Sequence, residues 1–370
     1  MGQAKGGMRV ETLYLSRFRN LASQTIHFDA GINEIIGSNA EGKTSILEAI
    51  HMLILGVSFR THQLADLVQH QADGFLLEAQ GSSKGVRKTV SLSYDGSGRR
   101  VVLDGQPQET SSSLLGNLVG VAATLEDQEL VFGPPSVRRR FLDEQIAQTD
   151  PRYVEQLLRY RRALSQRNFL LKKGSFTTIG AWEEQLALSG AYLVEQRRET
   201  VALLAPKVTE NYHLLFPGRG EFLMKYYTSA PVKDLSSWYL EQYKAKREQE
   251  RRMGATLIGP HRDDIGWTLD SLPVKSVASL GQARSVTLAL RLSEWSLLRE
   301  RVEVEPIILI DDADSTLDAK RKERIMEMVQ CSSQVILTAH SAYSDGARRI
   351  MVKGGVATND ALLGEPISAK

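Results

Sequence analysis

Gly37-Ser38-Asn39-Ala40-Glu41-Gly42-Lys43-Thr44 decides how this chain is read. It fits the pattern G-x-x-x-x-G-K-[ST], in which two glycines allow a tight turn and several backbone N–H groups converge on one phosphate chain. Lys43 would reach the β- and γ-phosphates. Thr44 would place its hydroxyl on Mg²⁺, and Ser45 continues the same turn. The flanks agree with this reading. Gly31-Ile32-Asn33-Glu34-Ile35-Ile36 is a short apolar strand, and Ile46, Leu47, Ile50, Leu53 and Ile54 then recur at helical spacing. Strand, glycine loop and helix together aim a helix N-terminus at an anion.

The other half of such a site stands near the end of the chain. Pro306-Ile307-Ile308-Leu309-Ile310-Asp311-Asp312 is an apolar run closed by two carboxylates. It reads as a strand buried on both faces of a parallel sheet, its carboxyl end beside the P-loop. Asp311 would hold Mg²⁺, directly or through water, and Asp312 would orient the attacking water. Ahead of it, Ser279-Leu280-Gly281-Gln282 opens a helix whose N-terminus offers a hydroxyl, bare N–H groups and a positive dipole end. Ser315-Thr316-Leu317-Asp318 follows the acidic pair. A strand, Gln334 to Thr338, then runs into Ala339-His340-Ser341, where His340 would meet a γ-phosphate or the attacking water.

Composition narrows the class. The 370 residues are 42% hydrophobic and 24% charged, as in a globular protein of one to three domains. No apolar run approaches the ~18 residues of a membrane span, and the N-terminus lacks the apolar core of a secretion signal. Residues 1–7 read as a short extension before Met8. Cys331 is the single cysteine, which excludes an internal disulfide and suits a reducing cytoplasm. A net charge of +2 does not announce a nucleic-acid binder. The basic residues cluster instead, at Arg138-Arg139-Arg140 and again at Lys244, Lys246, Arg247, Arg251 and Arg252.

Texture changes along the chain. The first part is strand-rich, with Val10 to Leu15, Phe75 to Ala79 and Val90 to Tyr94 alternating, and Asp95-Gly96 and Asp104-Gly105 marking hairpin turns. Residues 136–213 read as long amphipathic helices, punctuated at the end by Pro206 and Pro217-Gly218. A short strand at 221–226 and a charged helix at 236–253 follow, and the last hundred residues return to strand–helix alternation.

In its order of motifs the chain resembles an ABC-type ATPase head, and within that class the RecF family of bacterial recombination and gap-repair proteins. The resemblance rests on Leu15-Ser16-Arg17-Phe18-Arg19-Asn20-Leu21, Ser58-Phe59-Arg60-Thr61, Arg138-Arg139-Arg140-Phe141-Leu142-Asp143, Gln166-Arg167-Asn168 with Leu170-Leu171-Lys172, the stretch Thr256-Leu257-Ile258-Gly259-Pro260-His261-Arg262-Asp263-Asp264, and Ser279 to Gln282. It implies an α/β, Rad50/SMC-like P-loop ATPase head with a second, largely helical arm lobe. The expected boundaries are 1–125 for the first part of the ATP-binding lobe, 126–295 for the helical lobe carrying the signature motif, and 296–370 for the rest of the ATP-binding lobe.

The same resemblance implies ATP and Mg²⁺ as cofactors and a weak, DNA-stimulated ATPase. It also implies an ATP-dependent homodimer, in which Ser279, Gly281 and Gln282 of one copy close over the nucleotide held by the other. DNA would be bound without sequence reading through Arg138, Arg139, Arg140, Lys246, Arg247 and Arg251. RecR and RecO are the implied protein partners, and no membrane is involved. Thr124-Leu125-Glu126-Asp127-Gln128 departs from the family's usual turn, leaving Gln128 as its candidate phosphate sensor, and Phe132 and Ala283 also depart. Three other readings remain: a P-loop metabolic ATPase or kinase, a transporter-coupled subunit, and a Rad50/SMC-like head working with a nuclease. His261 with Asp263 and Asp264 reads as a loop motif rather than a metal site.

Overall fold

The structure is a computed structural model, and it describes residues 6–359 apart from 218–219, 315–318, 331, 343 and 345. Ser315-Thr316-Leu317-Asp318 and Cys331 lie outside the described residues. The chain divides into two compact units. One contains residues up to 128, 211–217 and those from 280 onward; the other contains 129–210 and 218–279. The helix Leu280–Arg301 therefore groups with the P-loop, where the expected boundary at 295 had put it in the helical lobe. Its buried face, from Ala283 through Val286, Ala289 and Leu290, accounts for this, because the helix packs against the strand Gly120–Ala123.

The first unit holds two sheets. In the first, strands Arg348–Lys353, Gly31–Ile36, Gln334–Ala339, Ile307–Ile310 and Gly120–Ala123 lie side by side in that order and in parallel, with Val356–Asn359 antiparallel at one edge. Gln334–Ala339 and Ile307–Ile310 are buried at every residue, as their unbroken apolar runs require. The second sheet is antiparallel, built mainly from Arg9–Ser16, Phe75–Ser83, Val86–Tyr94 and Arg99–Leu103. The helix Lys43–Leu55 packs against strands of both sheets, which is why it is buried continuously from Ser45 to Ile54. Shortening Ile50 to alanine there would cost about 2–5 kcal/mol. Gln334 clips the sheets together: its side chain exchanges two hydrogen bonds of 2.8 Å with the backbone of Val10.

The second unit is mostly helical, with Pro135–Ala147, Pro151–Lys173, most of Ile179–Leu215, and Leu235–Met253. Tyr153, Tyr160, Leu186, Leu193, Tyr239 and Tyr243 form its core. A three-stranded sheet orders Leu272–Pro273, Asp264–Leu269 and Phe222–Tyr227. Pro206 does not end the third helix; it lies inside it. The carbonyl that loses its partner belongs to Ala202, on the exposed side, where water can satisfy it.

Candidate nucleotide-binding site

The P-loop adopts the tight path its glycines allow. Gly42 has φ +113° and Ala40 φ +65°. A Cβ on Gly42 would stand 2.5 Å from Leu21 Cδ2, and one on Gly37 would stand 2.4 Å from Val352 O, so neither position admits a side chain without displacement. Asn20 braces the turn, donating to Ala40 O at 2.9 Å and accepting from Ser45 Oγ at 3.3 Å. Glu41 accepts the backbone N–H of Gly354. Lys43 is buried and folds back on its own loop, its ammonium donating to Gly37 O at 2.6 Å and Ser38 O at 2.9 Å.

The two halves read from the sequence meet here. Thr44 Oγ1 donates to the Asp311 carboxylate, at 3.0 Å from Oδ1 and 3.1 Å from Oδ2. Thr338 donates to Asp311 Oδ1 at 2.7 Å, and its hydroxyl accepts the Asp312 N–H at 2.7 Å. Burial pushes the Asp311 carboxyl up, against the pull of the two hydroxyls. A buried carboxylate beside a threonine hydroxyl is a hard-oxygen set of the kind Mg²⁺ takes, so Thr44 and Asp311 fit the expected ion. Asp312 sits at φ +54°, a left-handed turn that swings its side chain off the strand end.

These groups open onto a cavity of about 810 Å³ lined by Ser38, Asn39, Lys43, Thr44, Asp311 and Asp312 among others. Arg19, Arg60 and Thr338 also line it, and the sequence reading had not placed them there. Arg19 is held by a two-point bond to the buried Glu48, at 2.9 and 2.7 Å, with Arg60 3.5 Å from the same carboxylate. Arg19 and Arg60 each lie in a stretch that carried the family resemblance; Thr338 gave no signal beyond its place in an apolar strand.

His340 is not among the described residues that line the cavity. It stands beside it, with Nε2 3.7 Å from Asp312 Oδ1 and its backbone N–H donating to Asp314 Oδ2 at 2.6 Å. Gln128 caps the short turn Leu125–Asp127 and is half-buried; Leu125 of that turn, not Gln128, reaches the cavity. The turn is anchored by Asp127, which accepts from Arg291 at 2.6 and 3.1 Å. Gly281 and Gln282, in the same unit as the P-loop, are likewise not among the lining residues. Ser279, Leu280 and Gly281 are exposed. Arg284, one turn into the helix, does approach the acidic pair and shares a small cavity of about 40 Å³ with Asp311 and Asp312.

The expected DNA-facing arginines lie in the second unit and divide into two kinds. Arg138 is buried and makes a two-point bond to Asp264 at 2.8 and 2.9 Å, so it holds the fold and does not reach outward. Arg247 is tied to the buried Glu183. Arg139 is half-buried and donates to Asp263 O at 2.8 Å. Arg140 and Lys246 are half-buried and Arg251 is exposed, 3.0 Å from Glu248. His261 is structural, with Nδ1 2.6 Å from the Tyr160 hydroxyl and Nε2 3.1 Å from Thr256 O. Among the described residues no helix is long and apolar enough to cross a membrane.

Comparison with known proteins bears on this geometry directly. Residues 9–352 match the RecF/RecN/SMC N-terminal domain. A DNA replication and repair protein RecF from Protochlamydia amoebophila is 41% identical over 337 residues, covering 90% of this chain and 94% of the relative. One from Symbiobacterium thermophilum is 36% identical over 346 residues, covering 90% and 91%. A solved structure of the recombination mediator protein RecF with ATP, from the RecFOR pathway, superposes with a TM-score of 0.90 at 27% identity, covering 97% of this chain and 99% of that one. An Smc head domain from Pyrococcus furiosus shares the fold, with a TM-score of 0.54 at 16% identity and coverage of 95% and 96%.

Proposed function

This chain belongs to the RecF family, and we propose that it is an ATP-gated DNA-binding switch of recombinational repair and replication-gap processing. One observation carries the gating: the helix N-terminus, exposed at Leu280 and Gly281 and half-buried at Gln282, stays out of the cavity that Lys43, Thr44 and Asp311 build. A helix N-terminus is an anion site, and this one is turned to solvent in the same unit as a phosphate cradle it does not complete. Its natural occupant is the γ-phosphate held by a second copy. Ser279, Gly281 and Gln282 of that copy close the site, and ATP becomes part of the interface.

Thr44 and Asp311 would hold Mg²⁺, which when bound would offset phosphate charge. Asp312 orients the attacking water, with His340 beside it. Hydrolysis is slow, DNA-stimulated and switch-like, since it removes the charge that both copies grip. DNA is held by its phosphates, with the exposed Arg251 and the half-buried Arg140 and Lys246 its candidate contacts among the expected set. RecO and RecR are the partners in the cytoplasm, by analogy with the relative whose structure belongs to the RecFOR pathway. A metabolic kinase would have no use for an exposed signature helix.

Light scattering in one titration with ATP, ADP and gapped duplex tests this. ATP should double the mass, ADP should not, and Lys43→Ala should abolish the change along with nucleotide affinity. A mass that stays at one chain with ATP and DNA together would end the proposal.

A further inference from the structure

The second unit contains a cavity of about 220 Å³ that the nucleotide chemistry leaves unused. Arg139, Arg140, Arg161 and Arg197 line it, against a single carboxylate, Asp143. That carboxylate is already committed. Its Oδ1 accepts from Arg197 Nη2 at 2.8 Å and from the Tyr153 hydroxyl at 2.6 Å, and its Oδ2 lies 3.6 Å from Arg161. Two acids outside the lining are occupied as well: Asp264 by Arg138, and the Asp263 side chain by the Tyr226 hydroxyl at 2.6 Å. His261 adds no charge, because burial presses its pKa to about 4. Burial and the Arg197 charge also push Arg139 down. The charged part of the lining is thus four guanidinium groups and one carboxylate.

We propose that this cavity is a phosphate pocket, in which Arg139, Arg140 and Arg161 seat one phosphate group of bound nucleic acid. The proposal deepens the DNA-binding part of the function above and rests on it. Guanidinium groups match phosphate oxygens in geometry and bond them two at a time. A phosphate offers more acceptor oxygens and more charge than a lone acidic side chain, and so matches a lining of several guanidinium groups better. The volume is that of about seven waters, enough for a phosphate with part of its hydration. Ser136, exposed at the rim, adds a hydroxyl donor.

The test is fluorescence anisotropy of a labelled gapped duplex over a salt series. Wild type is compared with Arg161→Gln, Ser136→Glu and the control Arg162→Gln. Arg161, Arg162 and Ser136 are all exposed, so their thermal midpoints should match wild type. Arg161→Gln and Ser136→Glu should each weaken binding about three- to tenfold and reduce the salt slope by about one, as loss of one phosphate contact does. Arg162, on the same helix but outside the cavity, should change the slope less. Equal slopes for Arg161→Gln and Arg162→Gln would reduce the effect to general surface charge and overturn the pocket. So would wild-type behaviour of both pocket variants while wild type binds the duplex. A wild type that ignores the duplex at every salt concentration would instead remove the DNA-binding function itself. Calorimetry with inorganic phosphate separates the sources: binding lost in Ser136→Glu, with the DNA slope unchanged, would make this a free-anion site and refute a nucleic-acid role.

Discussion

The Thr338 hydroxyl donates to the Asp311 carboxylate and receives the Asp312 backbone N–H, both at 2.7 Å, so one side chain ties the first carboxylate to the backbone that carries the second. Removing it has two consequences. The Asp312 N–H loses its partner near a buried strand end, at a cost of about 1–3 kcal/mol. Among the described residues the Asp311 carboxylate then keeps only the Thr44 hydrogen bond and can turn away from the position Mg²⁺ needs. Groups that orient a metal ligand typically matter by about 10- to 100-fold. Thr338→Val keeps the shape and should therefore lower Mg²⁺-dependent ATP turnover by about that factor, with Thr338→Ser restoring most of it. Nucleotide affinity measured without Mg²⁺ should hold, because Lys43 and the loop N–H groups are untouched. A valine variant with normal turnover would remove Thr338 from the site.

At the scale of elements, the second unit is organised around Arg167, which has no exposed side-chain surface. It bonds Glu183 at 3.0 Å and Glu250 at 2.6 Å and lies over the Tyr243 ring, 5.0 Å from its centroid. Three helices are joined by that one guanidinium. Arg167→Leu leaves two carboxylates buried without it and should cost about 3–5 kcal/mol in urea unfolding, seen as a lower midpoint. Adding Glu183→Gln and Glu250→Gln should recover part of the loss; no recovery would show that packing, not charge, is what the arginine supplies. Asn168 next to it accepts from Thr256 N at 2.8 Å and from its hydroxyl at 2.7 Å. Two of the stretches that carried the family resemblance thus meet in space, and their work is structural. The family resemblance singles these stretches out without showing what they do. Strand 31–36, the P-loop and the helix after it were legible because their signals are local: an apolar run, two glycines, helical spacing. Gly120–Ala123 and Arg348–Lys353 were not, since each becomes a strand through the neighbours it pairs with far along the chain. Arg138 was misread for the same reason. Its partner Asp264 is distant in sequence, and a run of three arginines does not reveal which one turns inward.

For the whole molecule, buried histidines tie stability to pH. Burial presses both His51 and His261 to about 4, below the 6.5 of an exposed ring. Between those values the unfolded chain binds the extra protons, so the stability from keeping both rings neutral is complete above pH 6.5 and drains as pH falls toward 4. The effect is at most about 3 kcal/mol for each ring. Asp263, Glu294 and Asp311, raised by burial, act in the opposite sense. The difference between wild type and His51→Gln/His261→Gln isolates the histidines: the urea midpoint of the double variant should fall less between pH 7 and 5. The same molecule is proposed to work as two copies that each supply half of a site, and that claim has a test no single chain can pass. Lys43→Ala damages the phosphate cradle and keeps the signature helix. Ser279→Arg blocks the signature end and keeps the cradle. Each alone should be inactive, since every site in its dimers combines one damaged half with one intact half. Mixed, they form dimers with one site wholly intact and one wholly damaged, so turnover should return to at most roughly a quarter of wild type. If each chain completed its own site, the mixture would stay as inactive as its components.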